Sequence, residues 1–313
     1  MRQTKLARLA ITLAASAAVA GASLPPALAQ TAPLPVTLTV QLAKVELFDD
    51  AIISGRLDPP HHGGYVQVSL ILDGKQIGRH QVLLAGDGSS FETSIPVERW
   101  GHYRAQATFE GDADHSPATT TTEPRNVRTP GPLHQGSHGD NVLTLERRLD
   151  QLNYHLPRPN RGFDYRTADA VLAFHKVQGM GRGESVSKAT WKRLADPRTP
   201  KPRAKRPPTH VEVDQTKQVA YLVRKGEIDE IWHVSTGAGG ATRDGVFNVH
   251  RKIAGYSPGR LYYPSYFDGL RAVHGWPDVP TTPASHGCVR VPYWVAKWIF
   301  GIMHYGMQVR VYH

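Results

Sequence analysis

Apolar and polar residues follow different periods in different parts of this chain. Between residues 36 and 128, apolar side chains alternate with polar ones in short runs, for example at 36–40, 65–70 and 103–109. Runs of period two that are separated by turn pairs such as Asp73-Gly74 are typical of short antiparallel strands. The pattern predicts a β-sandwich over residues 36–128.

Residues 132–197 follow a helical period instead. Apolar positions recur every three or four residues in three runs, which predicts three short helices. The turn at 136–140 is predicted to cap the first helix and Thr167 the second. The apolar positions are Val142, Leu145, Leu149 and Leu152, then Ala168, Val171, Leu172 and Phe174, then Ala189, Trp191 and Leu194.

Residues 209–313 alternate again and predict a mostly β domain. One helix is expected from Tyr293 to Ile302, directly after Pro292. The predicted strands are 210–214, 218–224, 228–235, 245–250 and 307–312. Residues 198–208, which precede this domain, alternate lysine or arginine with proline and predict a stiff, solvated linker; direct binding to an anionic polymer is the alternative. The fold class is therefore mostly β and multidomain.

Residues 1–29 have the features of a secretory signal peptide. A basic start is followed by an alanine-rich apolar run and by Ala27-Leu28-Ala29, a small-x-small cleavage site. The formal net charge is +10, which would draw an exported protein to an anionic surface such as a cell wall. Export and the lack of a zinc-finger or RNA-binding pattern argue against nucleic acid as a partner.

Cys288 is the single cysteine of the chain. It lies in Ser285-His286-Gly287-Cys288, and a second His-Gly pair stands at His274-Gly275. A thiol near histidines is typical of a nucleophile, because the imidazole can remove its proton. A zinc site from Cys288, His286, His274 and His304 is the weaker alternative, since zinc sites usually repeat closely spaced pairs. We therefore expect no metal and no cofactor.

These motifs resemble the L,D-transpeptidase (YkuD) catalytic family over the whole of 209–313. The similar features are Glu212-Val213-Asp214, Val234-Ser235-Thr236-Gly237, the stretch 242–247, His274-Gly275 and the block 285–290. The sequence departs from the family where Arg243-Asp244-Gly245 replaces Pro-Thr-Gly and where Arg290 follows Val289. Neither departure removes a reacting group.

The resemblance implies roles for individual residues. Cys288 would be the nucleophile and His274 its base, oriented by the carbonyl of Gly275, while His286 would shape the pocket. Backbone N–H groups of His286, Gly287 and Cys288, in the loop that starts at Ser285, would form an oxyanion hole. Substrate would be held by Arg290 and by the tyrosines of a lid, Tyr262, Tyr263 and Tyr266.

The two earlier segments carry weaker resemblances. Residues 132–197 resemble the peptidoglycan-binding domain family in the turn Gly136-Ser137-x-Gly139-Asp140 and in the ending Thr190-Trp191-x-x-Leu194. Their loss of a glycine after Phe163 leaves two alternatives, binding of the wall polymer or a three-helix spacer. Residues 36–128 resemble bacterial immunoglobulin-like domains by strand pattern, and no catalytic group is expected there.

Together these features predict an exported cell-wall enzyme that acts on peptidoglycan stem peptides, in the periplasm or the wall. The family resemblance implies an acyl-enzyme on Cys288 and 3→3 cross-links, and so a part in wall biogenesis and cell shape. Two alternatives remain open. The acceptor can be water, which gives an L,D-carboxypeptidase or hydrolase, or the protein can be a non-catalytic wall-binding protein.

Overall fold

The computed structural model describes residues 32–313. The predicted signal peptide at 1–29 lies outside these residues. In the described part, strands dominate and four α-helices occur, so the predicted mostly β class is confirmed. No helix among the described residues is both long and apolar enough to cross a membrane.

The first unit is a sandwich of two antiparallel sheets. One sheet has the order β1-β2-β5, and the other has the order β4-β3-β6-β7 with β8 paired to β6. The Tyr103 hydroxyl donates to the carbonyl oxygen of Arg99 at 2.5 Å, a link that often fixes a corner of immunoglobulin-like sandwiches. The strands are β1 (Thr37–Lys44), β2 (Asp50–Asp58), β3 (Tyr65–Leu72), β4 (Lys75–Leu83), β5 (Ser90–Pro96), β6 (Gly101–Phe109), β7 (Ala118–Thr121) and β8 (Arg125–Val127).

Three helices follow: α1 (Asp140–Gln151), α2 (Tyr165–Gln178) and α3 (Lys188–Ala195). The cap of α2 differs from the prediction. Asp164, not Thr167, caps α2 and accepts the N–H groups of Arg166 and Thr167, since a carboxylate at the N-cap can reach both donors. The N-cap of α1 is Gly139, which lies in the predicted turn 136–140 but has no side chain to accept a capping hydrogen bond. The Thr167 hydroxyl instead donates to the buried Glu146 carboxylate of α1 at 2.8 Å.

The last unit contains two sheets and one helix. Its first sheet has the order β11-β10-β9-β17-β12 and its second the order β13-β14-β15-β16. Helix α4 (Tyr293–Ile302) matches its predicted bounds and packs on β14 and β15. The strands are β9 (His210–Asp214), β10 (Val219–Arg224), β11 (Glu227–His233), β12 (Gly245–Asn248), β13 (Arg251–Lys252), β14 (Tyr262–Asp268), β15 (Arg271–Trp276), β16 (Val289–Pro292) and β17 (Gln308–Tyr312).

The proline-rich segment 198–208 is not a free spacer, contrary to the prediction. The backbone N–H groups of Arg203 and Ala204 donate to the Glu212 carboxylate at 2.8 and 2.9 Å. Glu212 is fully buried in β9, and a buried carboxylate must be hydrogen-bonded. The Arg203 guanidinium also lies 4.5 Å from the centre of the Tyr312 ring. The segment is therefore fixed along the last unit by a charge that the sheet itself buries.

The three-helix unit and the last unit share a buried interface. The Lys176 amino group of α2 lies 2.6 Å from His233 Nδ1 and donates to the Gln218 carbonyl at 3.0 Å. The Trp294 indole of α4 donates to Asp169 of α2 at 2.7 Å. Burial lowers the pKa of Lys176 to about 6, so its amine is largely uncharged at neutral pH. The helices are therefore a structural part of the last unit.

Candidate functional site

Cys288 directly precedes β16, which pairs with the strand that carries His274. β15 and β16 run parallel, and His274 pairs with Arg290, two residues beyond Cys288. Because side chains two residues apart in a strand point to the same face, the register directs Cys288, Arg290 and His274 to one face of the sheet. The thiol is half-buried, and its Sγ lies 3.9 Å from the Leu270 carbonyl oxygen.

His274 is held in one orientation by its neighbour. Its Nδ1 lies 2.9 Å from the Gly275 carbonyl oxygen, the contact that the family resemblance implies. Because a carbonyl only accepts, Nδ1 carries the hydrogen and donates it. Nε2 is left with its lone pair. Burial lowers the pKa of His274 to about 4, partly offset by the Gly275 carbonyl, and the Arg290 charge lowers it further. The imidazole is therefore neutral at physiological pH and can accept a proton.

The thiol is also neutral in the resting state. Burial raises the pKa of Cys288, although the backbone N–H of Ala272 and the charges of Arg290 and Arg271 partly offset this. A neutral thiol beside a neutral imidazole differs from a preformed thiolate–imidazolium pair. Deprotonation must therefore accompany attack on a substrate, with His274 as general base.

The loop before Cys288 has a backbone that only glycine adopts easily. Gly287 has a φ of +123°, and a Cβ there would lie 2.8 Å from the Ala241 carbonyl oxygen and 2.7 Å from Arg271 Nε. The Ser285 hydroxyl donates to the Cys288 carbonyl at 2.6 Å and accepts the Gly287 N–H at 3.0 Å. This corrects the predicted oxyanion hole, because the Gly287 N–H is already bonded. The N–H groups of His286 and Cys288 remain the candidate donors.

A second layer of residues holds this loop, and sequence reasoning gave them no role. The Thr242 hydroxyl accepts the Gly237 N–H at 2.7 Å and donates to the Gly287 carbonyl at 3.0 Å. Arg271 donates through Nε to the Ala241 carbonyl at 2.9 Å and pairs with Asp268 at 3.0 Å. Thr242 begins the family-like stretch 242–247, but its partner Gly287 lies 45 residues away along the chain. Only the fold reveals this contact.

Arg243, one of the departures from the family pattern, forms an ion pair in the structure. Its guanidinium pairs with Asp268, which also binds Arg271. The hydrogen bond from Arg243, with the charges of Arg243 and Arg271, keeps the pKa of Asp268 low despite burial. The chain Arg243–Asp268–Arg271 therefore reaches the Ala241–Gly287 contact, so the replaced Pro-Thr-Gly turn gains an ionic link to the loop before Cys288.

Two of the three predicted lid tyrosines, Tyr262 and Tyr263, pack edge to face with ring centres 4.7 Å apart, away from the thiol. Tyr262 pairs with Gly275, and a Cβ on Gly275 would lie 2.8 Å from the Tyr262 ring and 2.8 Å from Ala296 of α4. This is the face opposite His274. Tyr263 packs on Phe300 of α4 with ring centres 5.1 Å apart. Both tyrosines therefore pack against α4, since a register shift in β14 separates them from the face of Cys288.

Tyr266 is the predicted tyrosine that shares the face of the thiol. It pairs with Ala272, two residues before His274, and it is buried beneath the Arg251 guanidinium at 3.9 Å. Arg290 stacks on the Trp276 ring at 4.7 Å and borders the site. His286 is exposed, because the positive φ of Gly287 interrupts the extended segment that would have aligned it with Cys288.

Residues 208–311 match the YkuD family, the L,D-transpeptidase catalytic domain. The chain is 32% identical to an L,D-transpeptidase from Xylanimonas cellulosilytica, with a TM-score of 0.55, covering 59% of this chain and 99% of that one. An L,D-transpeptidase from Stackebrandtia nassauensis is 26% identical over 59% of this chain and 98% of its own, with a TM-score of 0.38.

A third similar structure is the catalytic domain of the Enterococcus faecium L,D-transpeptidase. It is 25% identical and covers 33% of this chain and 96% of its own, with a TM-score of 0.30. No curated protein sequence matches the chain at a significant level. The similarity to the Xylanimonas structure extends over a larger share of the chain than residues 208–311, so it includes residues outside the catalytic segment.

Proposed function

Because this chain belongs to the L,D-transpeptidase (YkuD) family and is an L,D-transpeptidase, we propose that it forms 3→3 peptidoglycan cross-links through a thioester on Cys288. The family acts on peptidoglycan peptides. The observation that carries the proposal is the placement of Cys288 and His274 on one face of two adjacent parallel strands. His274 is neutral, and its Nδ1–H is fixed by Gly275.

The first half of the reaction forms the acyl-enzyme. Cys288 Sγ attacks the carbonyl between the L-centre of the stem's third residue and the terminal D-alanine, while its proton moves to His274 Nε2. The carbonyl oxygen takes the negative charge, and the N–H groups of His286 and Cys288 are the donors placed to stabilise it. The C–N bond then breaks, and D-alanine leaves with the proton from His274.

The second half transfers the acyl group. The side-chain amine of a diamino acid in a second stem attacks the thioester carbonyl and gives a proton to His274. The C–S bond breaks, the new amide is the cross-link, and the thiolate recovers the proton. Arg290 lies beside His274. Its positive charge stabilises the negatively charged oxyanion and destabilises the protonated form of His274, so the imidazolium is short-lived.

Export to the wall is part of the proposal. Its supports are the signal-peptide pattern of residues 1–29 and the net charge of +10, because a basic protein is attracted to an anionic wall. The three-helix unit, with its shared interface with the catalytic unit, is proposed to hold the glycan-linked stem near the site. A wall polymer bound there would raise the local concentration of donor and acceptor stems.

The product identifies the acceptor. Purified enzyme mixed with disaccharide-tetrapeptide is expected to release D-alanine and to yield a cross-linked dimer, measured by mass spectrometry with fragmentation across the new bond. A tripeptide product without dimer would make the protein an L,D-carboxypeptidase. An unchanged substrate, with no adduct on Cys288 after exposure to a carbapenem, would leave only wall binding.

Gly287→Ala is expected to slow carbapenem acylation of Cys288 by about 10² or more, because a displacement of the reacting atoms by about 1 Å has that effect. The added Cβ would press on the Ala241 carbonyl and would need a φ of +123°. Gly301→Ala in α4 is the matched control, since a Cβ there meets no atom within 4 Å. Intact-mass kinetics measure both rates, and a Gly287→Ala rate within twofold of the unsubstituted enzyme would contradict the expectation.

A further inference from the structure

Three ligand-type side chains meet at one end of the β-sandwich, in the unit to which sequence analysis gave no chemistry. His61 lies in the turn between β2 and β3, and Asp112 and His115 lie in the loop between β6 and β7. One ligand atom from each residue lies within 4.8 Å of the other two. The rings of His61 and His115 have centres 4.5 Å apart. The mechanism on Cys288 uses none of these residues.

The protonation of His61 is set by its own turn. His61 Nδ1 lies 2.6 Å from the Pro59 carbonyl oxygen. A carbonyl only accepts, so Nδ1 carries the hydrogen and Nε2 of the neutral ring carries a lone pair. Histidines that bind metals usually donate their other N–H to a carbonyl in this way.

The lone pair of His61 faces another lone pair. Nε2 lies 3.3 Å from Asp112 Oδ2, and the His61 side chain is 7% exposed. In the part of the chain that the structure describes, Nε2 is a buried nitrogen with no hydrogen-bond partner. A buried imidazole nitrogen that points at a carboxylate oxygen is repelled by it unless a cation lies between them. The geometry therefore requires a positive charge at this point.

Asp112 is held so that one oxygen remains for that cation. Its Oδ1 accepts the N–H groups of Asp114 and His115 at 2.9 and 2.8 Å. Its Oδ2 is directed to His61, and His115 Nδ1 lies 2.9 Å from Oδ1 and 3.2 Å from Oδ2. Two imidazoles and one carboxylate are a donor set that suits zinc and other late divalent metals, at distances of about 2.0–2.2 Å.

We propose that His61, Asp112 and His115 bind a divalent transition-metal ion, for which Zn²⁺ is the best-matched probe. A cavity of about 460 Å³ lined by His61 and Asp112 adjoins the cluster and admits water to a fourth coordination position. The ion joins the β2–β3 turn to the β6–β7 loop. His115 also bridges Leu34, so the same ion stabilises the anchoring of the segment before β1.

Zn²⁺ titration of the purified protein tests this proposal. Cys288→Ser serves as the background, because it removes a competing thiolate. Calorimetry in the presence of a competing chelator is expected to show one tight site per chain, and Zn²⁺ is expected to raise the thermal unfolding midpoint. Asp112→Asn and His115→Ala are each expected to weaken binding by about 100-fold or more and to abolish the midpoint shift.

His102→Ala is the matched control, because His102 and Asp73 form an exposed pair in the same sandwich at 3.3 Å. It is expected to bind Zn²⁺ like the background protein. Zinc X-ray absorption of the unsubstituted protein provides a readout independent of variant folding, and two imidazoles with oxygen donors are expected. Absence of tight binding, equal binding by Asp112→Asn and His115→Ala, or a sulfur-ligated spectrum would each overturn the proposal. The cation at His61 would then be a proton shared with Asp112.

Discussion

Cys288→Ala is expected to abolish both covalent carbapenem adducts and cross-linked dimer, with a loss of at least about 10⁴-fold in rate. Cys288 is the single thiol of the chain, so no neighbouring residue can take over the nucleophilic step. The fold is expected to survive, because the thiol is only half-buried and its contact with the Leu270 carbonyl is long, at 3.9 Å. Intact-mass analysis and product chromatography measure the two outcomes.

Cys288→Ser is the matched control for shape. It keeps an atom at the Sγ position and lets His274 approach a hydroxyl, yet a hydroxyl is a much weaker nucleophile than a thiol with the same base. We expect this variant to retain the thermal unfolding midpoint of the unsubstituted enzyme and to form almost no adduct. A carbapenem adduct or a dimer in Cys288→Ala would move the nucleophile elsewhere and refute the proposed mechanism.

The first sheet of the catalytic unit could be predicted from its sequence, whereas the strands β13 to β16 of the second sheet were not predicted. β9, β10 and β17 follow the alternation of apolar residues closely, and α4 begins directly after Pro292 as expected. In the sandwich, β2 was not predicted. Its Ser54-Gly55 pair interrupts the apolar alternation, and Gly55 is needed there because a Cβ would lie 2.1 Å from the Thr39 carbonyl oxygen. A contact across the sheet, not propensity, sets this residue.

The site was predictable as far as its local motifs extend. The block around Cys288 and the pair His274-Gly275 could be identified because neighbouring residues carry the chemistry. The face of Tyr262 could not be predicted, since a bulge in β14 changes the direction of the side chains. The contact between Ser285 and Gly287 depends on a positive φ, and no pattern of residue types reveals which N–H groups remain available.

The contacts between the units also could not be predicted from the sequence. A lysine in an amphipathic helix normally lies on the exposed face, yet Lys176 is buried against His233 and Gln218. The basic residues around Arg203 indicated a solvated linker, but the buried Glu212 binds the backbone of that segment. In both cases a buried polar group requires a hydrogen-bond partner, and the pattern of residue types does not identify that partner.

His274→Ala is expected to lower the rate of carbapenem acylation by about 10² to 10⁴, the usual contribution of a general base. Since the pKa of His274 is lowered to about 4, the imidazole of the unsubstituted enzyme is neutral throughout pH 5–8. Its acylation rate should therefore change little across that range and should fall only as pH drops through about 4. The variant must use the rare free thiolate, whose pKa burial raises, so its rate should rise about tenfold per pH unit.

His286→Ala is the control for this prediction. Its side chain is exposed, and the substitution leaves its backbone N–H in place as an oxyanion donor. We expect a rate within about tenfold of the unsubstituted enzyme and an unchanged pH profile, whereas the loss of a true base would change both. A deeper defect in His286→Ala than in His274→Ala, or a flat pH profile in His274→Ala, would reverse the assignment. The slope of rate against pH thus separates a residue that removes the thiol proton from one that only borders the thiol.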